Sequence, residues 1–248
     1  MPGLLPRRRL VLAIAAVAAA VAAAAGTALA VTGPGPSHAV SLSRGDLARA
    51  ALKVTSGTRF LDVRMGRLGG TLLRVSTPDD APVRPVLSGS QLITLALTGA
   101  GGASPGGHGS GYAVTVVLNS AVTWSLDLAG GTQRTVADLR GGRVDGLAVM
   151  AGSDILDVTL PRPAGTLPLL LAGGVSQFRL SLPGGVPAQV TVGGGASFVS
   201  IDAQNLTGIA GGTVLTLPGW AAAASRFDID AVSGFSRLTV SRWSPAGS

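Results

Sequence analysis

One short pattern recurs in the second half of the chain. A Gly, a small residue and a Ser or Ala precede a strand of alternating apolar residues, which often ends at Pro. Repeats of about 20–25 residues with one strand each are typical of a stacked β-solenoid. The four copies are 152–161, 174–183, 195–202 and 233–240. Aligned on Ser153, Ser176, Ser197 and Ser236, they are separated by roughly 23, 21 and 39 residues.

Alternation of apolar and polar residues begins at Val54 and continues to the C-terminal region. Such a period of two predicts half-buried strands, and Gly-Gly pairs between them supply tight turns. The predicted fold is therefore all-β: a single-domain β-solenoid of short stacked strands with Gly-rich turns. A β-sandwich, with its similar turn spacing, is the alternative. The Pro-containing stretch 77–89 and the Gly-rich stretch 98–111 interrupt the pattern.

The N-terminal 30 residues have the features of an export segment. Three arginines, Arg7 to Arg9, precede an apolar run that ends in an Ala-x-Ala site at Ala30. Cleavage after Ala30 would release the protein, whereas a retained helix over 10–31 is long enough to span a bilayer. The sequence predicts an extracytoplasmic protein, either secreted or anchored by one N-terminal transmembrane helix.

Four segments follow from these boundaries. Residues 1–30 are a signal peptide or membrane anchor, 31–52 a linker, 53–243 the β-solenoid and 244–248 a tail. Within the linker, Ser43 and Asp46 resemble the start of a short helix that would continue to Leu52. Of the three tryptophans, Trp124 and Trp243 are expected to pack in or cap the core.

Composition excludes several classes of site. The chain has no Cys, so disulfides, thiolate metal sites and Cys nucleophiles are absent. Arg7 to Arg9 supply three of the formal net charge of +7, and the arginines beyond residue 9 are scattered singly, so no nucleic-acid partner is predicted. His38 and His108 lie in the linker and in the Gly-rich stretch, where they are expected to be solvated. No catalytic constellation or cofactor site is predicted.

Acidic and aromatic residues give weaker candidates for a functional site. Outward-facing Asp62, Asp127 and Asp157 could stack as a carboxylate ladder for a hard cation, although their intervals fit no common repeat. Ordinary strand positions are the alternative, so no metal site is predicted. Asp228 and Asp230 share one strand face by alternation. Trp220 with Arg226 could form an exposed aromatic contact, and 205–207 match a glycosylation sequon.

Several segments together resemble a known group of proteins. They are 194–202, 207–208, 218–220, 227–230 and 233–240. Over about residues 110–243 the chain resembles the C-terminal part of LiaF-like, "toast-rack" bacterial envelope domains, which are adhesin-like β-solenoids. More closely, it resembles uncharacterised exported proteins of actinobacteria. The resemblance implies a β-solenoid outside or at the membrane, in some members tied to envelope-stress signalling. This chain has one N-terminal apolar segment where LiaF itself has several.

The expected function is non-enzymatic. An exported cell-envelope protein would offer a rigid strand surface to a protein or a wall polymer, with the membrane as a further contact through residues 10–31 if these are retained. One alternative is a membrane-anchored partner in envelope-stress sensing. A polysaccharide-acting β-helix enzyme is the second alternative, which the single Tyr and the scarcity of clustered acids disfavour.

Overall fold

A computed structural model describes residues 37–99, 112–202 and 204–244, which form nineteen β-strands and no helix. The strands are β1 (Ala39–Ser43), β2 (Arg49–Val54), β3 (Thr58–Gly66), β4 (Thr71–Ser76), β5 (Val83–Ser88), β6 (Leu92–Gly99), β7 (Ala113–Asn119), β8 (Thr123–Leu128), β9 (Thr132–Asp138), β10 (Arg143–Val149), β11 (Ser153–Thr159), β12 (Thr166–Leu171), β13 (Val175–Pro183), β14 (Ala188–Val192), β15 (Ala196–Ile201), β16 (Gln204–Ile209), β17 (Thr213–Thr216), β18 (Arg226–Ala231) and β19 (Phe235–Trp243).

The strands form two mixed sheets. Sheet A has the order β1-β4-β7-β3-β9-β11-β13-β19-β15-β16, and sheet B has the order β17-β14-β18-β12-β10-β8-β2-β6-β5. Pairing within the central part of each sheet is parallel, while the outermost strands at both ends pair antiparallel. The inward side chains of both sheets join in one hydrophobic cluster. The all-β prediction is therefore confirmed.

Most consecutive strands alternate between the two sheets. We define a layer as one strand of sheet B followed by one strand of sheet A, and the layers are β2–β3, β6–β7, β8–β9, β10–β11, β12–β13, β14–β15 and β18–β19. The layers do not stack in chain order throughout. Layer β6–β7 lies outside β2–β3, and layer β18–β19 lies between β12–β13 and β14–β15. A simple solenoid, in which each turn stacks on the preceding one, would have no such exchanges.

The alternation of apolar and polar residues along each strand explains which side chains form the core. Along β8 every second side chain is buried and the others are partly exposed, as expected for a strand with one face against a second sheet. Trp124 on this strand is fully buried and donates its Nε1–H to the carbonyl of Asn119 at 3.0 Å. Trp243 is partly buried at the end of β19 and donates to the carbonyl of Leu160 at 3.1 Å. Both tryptophans thus pack as the sequence predicts.

The short helix predicted between Ser43 and Leu52 is wrong. This segment forms the end of β1, a turn with Gly45 at a φ of 53°, and β2. Because β2 pairs with β6 on one side and β8 on the other, its apolar residues are buried inside sheet B. Tertiary pairing here overrides a weak local capping signal. The strands accordingly begin at Ala39 rather than at residue 53.

Two further segments differ from their sequence-based description. The Pro-containing stretch 77–89 holds strand β5, and its Pro85 is accommodated because β5 is the last strand of sheet B. The Gly-rich stretch lies largely outside the described residues, and so do His108 and the export segment. Within the described ranges, no helix is long and apolar enough to cross a membrane.

Candidate functional site

The recurring Gly-containing pattern forms the turns that lead from sheet B into sheet A. These turns line a groove of about 1180 Å³ that crosses six layers. With neighbouring strands about 4.8 Å apart, five steps give the groove a length of about 24 Å. Its lining residues are Thr55, Gly57, Thr58, 129–133, 151–154, 174–176, 194–197 and 234–236. The repeat that the sequence displays therefore builds this groove.

One edge of the groove carries a column of polar side chains. Ser153 pairs with Val175 and Ile155 with Gln177, whereas the residues between them, Asp154 and Ser176, form no ladder pair although the register does not shift. The same gap in pairing occurs in every strand along the groove. The residues at these gaps that line the groove are exposed, and we call them the polar rim: Gln133, Asp154, Ser176, Ser236 and Ser197. Among the described residues that line the groove, Asp154 is the only ionisable one.

Glycines allow the turns to stack closely. A Cβ atom on Gly130 would lie 2.1 Å from the carbonyl oxygen of Ser56, and one on Gly173 would lie 2.1 Å from that of Ala151. No side chain fits at such distances. The next residue in each turn is also Gly, but a Cβ on Gly174 would come no closer than 4.0 Å to another atom. The first Gly of these pairs is thus required for packing, whereas the second leaves the groove floor without side chains.

Three apolar residues lie one or two positions before the lining residues in their turns, although none of them lines the groove itself. Met150, Ala172 and Val232 each follow the last residue of a sheet B strand, and those last residues pair with one another. Met150 and Val232 are 47% and 51% exposed, which is high for large apolar side chains in a protein with a continuous core. We call these three residues the apolar shoulder. Sequence analysis identified neither the polar rim nor the apolar shoulder, because the alignment of their residues depends on which strands pair.

The carboxylate ladder considered from sequence does not form. Asp62 and Asp157 lie in one row of sheet A but are separated by β9, and Asp127 lies in sheet B. Asp157 pairs with Arg134 at 2.7 Å and with Arg179 at 3.0 Å. Lys53 approaches Asp127 at 3.3 Å. Among the described residues, no three His, Cys, Asp or Glu side chains come together as a metal site would require.

The pair Asp228 and Asp230 lies on the outer face of β18, as alternation predicts. The pKa of the Asp228 carboxyl is raised above its ordinary value, chiefly because partial burial removes water from the charged form and also because Asp230 repels it. Arg226 acts in the opposite direction. The negative form of this carboxylate is therefore disfavoured in the folded protein.

Replacing Asp228 with Asn should raise the melting temperature at neutral pH. The folded-state pKa exceeds that of the unfolded chain, which is about 3.9. Stability linked to this carboxyl therefore falls as the pH rises between the two pKa values, and the penalty is complete above them. Melting curves over a pH series should give a gain for D228N at pH 7 that disappears near pH 3.9. Asp154→Asn controls for the loss of one charge, and a D228N gain that is independent of pH would contradict the prediction.

The remaining sequence candidates have structural roles. Arg226 stacks on the Trp220 ring at 4.8 Å and donates to the carbonyl of Ala221 at 3.0 Å, so the expected contact forms and ties down the loop before β18. His38 is not a free solvated side chain, since its Nδ1 lies 3.1 Å from Oγ1 of Thr77. Asn205 of the sequon is exposed on β16.

Comparison with known proteins gives similarity at the level of fold. No protein-family model matches the chain, and no curated protein matches it. One similar solved structure is described as a "putative cell adhesion protein" from Clostridium sporogenes. It has 14% sequence identity and a TM-score of 0.61, and the match covers 83% of this chain and 98% of that one. This match shows a shared fold.

A second match is a "putative adhesin" from Bacteroides fragilis, with 9% identity and coverage of 85% of this chain and 100% of that one. Its TM-score of 0.26 is too low to carry an argument. The adhesin-like fold expected from the sequence resemblance is thus supported by the Clostridium protein. The relation to LiaF-like domains and to exported actinobacterial proteins stays a prediction.

Proposed function

We propose that this is a non-enzymatic, adhesin-like binding protein of the cell envelope, which holds an extended polymer in the groove along the polar rim. The observation that carries the proposal is the alignment of six glycine turns into one groove. Repetition of one local structure along a line suits a ligand that itself repeats along a line.

The chemistry of the groove favours a wall polysaccharide over a protein or a polyanion. The polar rim offers hydroxyl and amide groups, which can donate and accept hydrogen bonds with sugar hydroxyls. The described lining residues include no cation that would bind a polyanion. Extended peptides usually bind to an open sheet edge, where they gain main-chain hydrogen bonds, and the groove is built from turns instead.

The location outside the cytoplasm is supported by the N-terminal sequence. Arginines followed by an apolar run and an Ala-x-Ala site are typical of export. The protein would be either secreted or held at the membrane by residues 10–31, and in both cases the groove would face the wall. The fold shared with the Clostridium cell adhesion protein supports the same class of function.

Blocking the groove tests the proposal. Ser176 lies in the middle of the polar rim, is exposed and forms no ladder pair, so Ser176→Trp should leave the fold intact. We expect the full chain to sediment with purified, protein-free cell walls and S176W to bind at least about tenfold more weakly, equivalent to about 1.4 kcal/mol. Binding isotherms from co-sedimentation give the two affinities.

A matched variant separates a blocked groove from a general surface effect. Ser41 is an exposed serine on β1, far from the groove lining, and Ser41→Trp should bind walls as the unmodified chain does. Equal binding by all three proteins would disprove the groove as the binding surface. No binding to walls by the unmodified chain would remove the wall polymer as the ligand and leave a protein partner to be tested.

A further inference from the structure

The two ends of the strand stack differ in how they are closed. At one end β1 and β4 of sheet A both contact β5 of sheet B, so the sheets come together. Strand β5 also carries Arg84 and Pro85, a charge and a missing N–H group of the kind that protect sheet edges from pairing with other chains. This end is protected by the chain itself.

The opposite end is open. Strand β16 ends sheet A and β17 ends sheet B, and each pairs with one neighbour only. Five of the six residues of β16 are exposed and the sixth is partly so. One edge of each strand therefore presents main-chain donors and acceptors without a protein partner in the described structure.

The core also reaches this end without being covered. Buried Val199 pairs with Leu206, and buried Val190 pairs with Leu215, which continues the inward-facing rows into the last strands. Leu206 is 36% exposed, and Leu215 is only partly buried. Apolar side chains and unpaired edges thus coincide on one surface, which we call the open end.

The two strands of the open end carry no charge that would repel the open end of a second copy. Neither β16 nor β17 contains a charged residue. The nearby Asp202 is neutralised by Arg242, whose Nε and Nη2 atoms lie 2.8 and 3.1 Å from its two carboxylate oxygens. Charged residues are the usual protection of an edge strand, and these two strands lack them.

We propose that two copies of this chain associate through their open ends. A twofold axis perpendicular to both sheets would pair β16 with the same strand of the second copy, antiparallel, and would pair β17 likewise. A single added strand could extend only one sheet, whereas a second copy brings two edges with the required separation. The same contact covers Leu206 and Leu215 from both copies.

Placing a charge at the open end tests the proposal. Leu206→Lys would put two like charges close together across the twofold axis, and we expect it to turn a dimer into a monomer. Leu92→Lys is the matched control, because Leu92 is 39% exposed on β6, away from the open end. Light scattering after size-exclusion chromatography of the full chains gives the masses, and thermal melting confirms that each variant is folded.

The expected result is a dimer for the unmodified chain and for L92K and a monomer for folded L206K. Any association through residues 1–36 would be common to all three chains, so a difference between the variants reports on the open end. A monomeric unmodified chain at about 100 μM, or a dimer that persists in folded L206K, would overturn the proposal. So would loss of the dimer in L92K as well.

Discussion

A chain that stops after Ser225 should lose its entire fold rather than one end of it. The deletion removes β18 and β19, which lie inside the two sheets although they come last in the sequence. Strand β18 separates β12 from β14, and β19 separates β13 from β15. Their loss leaves layer β14–β15 without the strands that attach it to the rest.

The energetic loss is of the same size as the stability of a whole domain. Phe227, Ile229, Phe235 and Leu238 are all buried. At about 1.5–3 kcal/mol for each buried side chain, these four contribute about 6–12 kcal/mol. Domains are typically stable by about 5–15 kcal/mol. We therefore expect no cooperative thermal transition, as measured by circular dichroism, in the shortened chain.

Deleting an outer strand provides the control. Strand β1 is the first strand of sheet A and pairs only with β4, so deletion of 37–44 should lower the melting temperature while unfolding stays cooperative. A cooperative transition in the chain ending at Ser225 would show that the layers fold independently, and the account of β18–β19 as an internal layer would then fail.

Substituting Gly173 with Ala should be the most damaging single methyl addition among the turns of the groove. The new Cβ would lie 2.1 Å from the carbonyl oxygen and 2.2 Å from the carbonyl carbon of Ala151. The turn cannot easily move away, because the amides of Ala172 and Gly173 both donate to the carbonyl of Val149. Overpacking of this kind costs about 3 kcal/mol, or roughly 6–12 °C in melting temperature for a chain of this size.

The adjacent Gly174 is the matched control. A Cβ there would have 4.0 Å of space, and the residue does not have a positive φ. Gly174→Ala should therefore change stability by less than about 1 kcal/mol, with a slight gain expected from the less flexible unfolded chain. Similar melting temperatures for G173A and G174A would contradict the close-packing explanation.

Local sequence patterns predicted where the strands lie in the chain, but not which strands pair with one another. The alternation in β8, β11 and β13 and the Gly turns between strands follow from residue-level preferences, and the structure has them where the sequence places them. Parallel pairing joins residues far apart in the chain, and no local pattern encodes it. The long interval between Ser197 and Ser236 includes β16 and β17, and the layer containing Ser236 then returns to the inner side of Ser197.

The repeat alignment was also wrong by one residue in one copy. Ser153 was aligned with Ser176, but Ser153 faces inward and pairs with Val175, so Asp154 is the true equivalent of Ser176. The error came from matching the two serines, whereas Gly152 and Gly174 are separated by the same interval as the paired Ser153 and Val175 and give the true alignment. The polar rim could not be identified from the sequence, because its residues are brought into line only by the pairing of strands that are far apart in the chain.

The polar rim has a consequence for how such a protein can diverge. Each rim side chain belongs to a different layer and lies outside the main-chain pairing. A change at one rim position therefore leaves the hydrogen bonds of its own layer and of the others in place. Evolution, or a protein engineer, can therefore substitute the five positions one at a time. Each substitution changes which groups the groove presents to a ligand, while the strand framework stays the same.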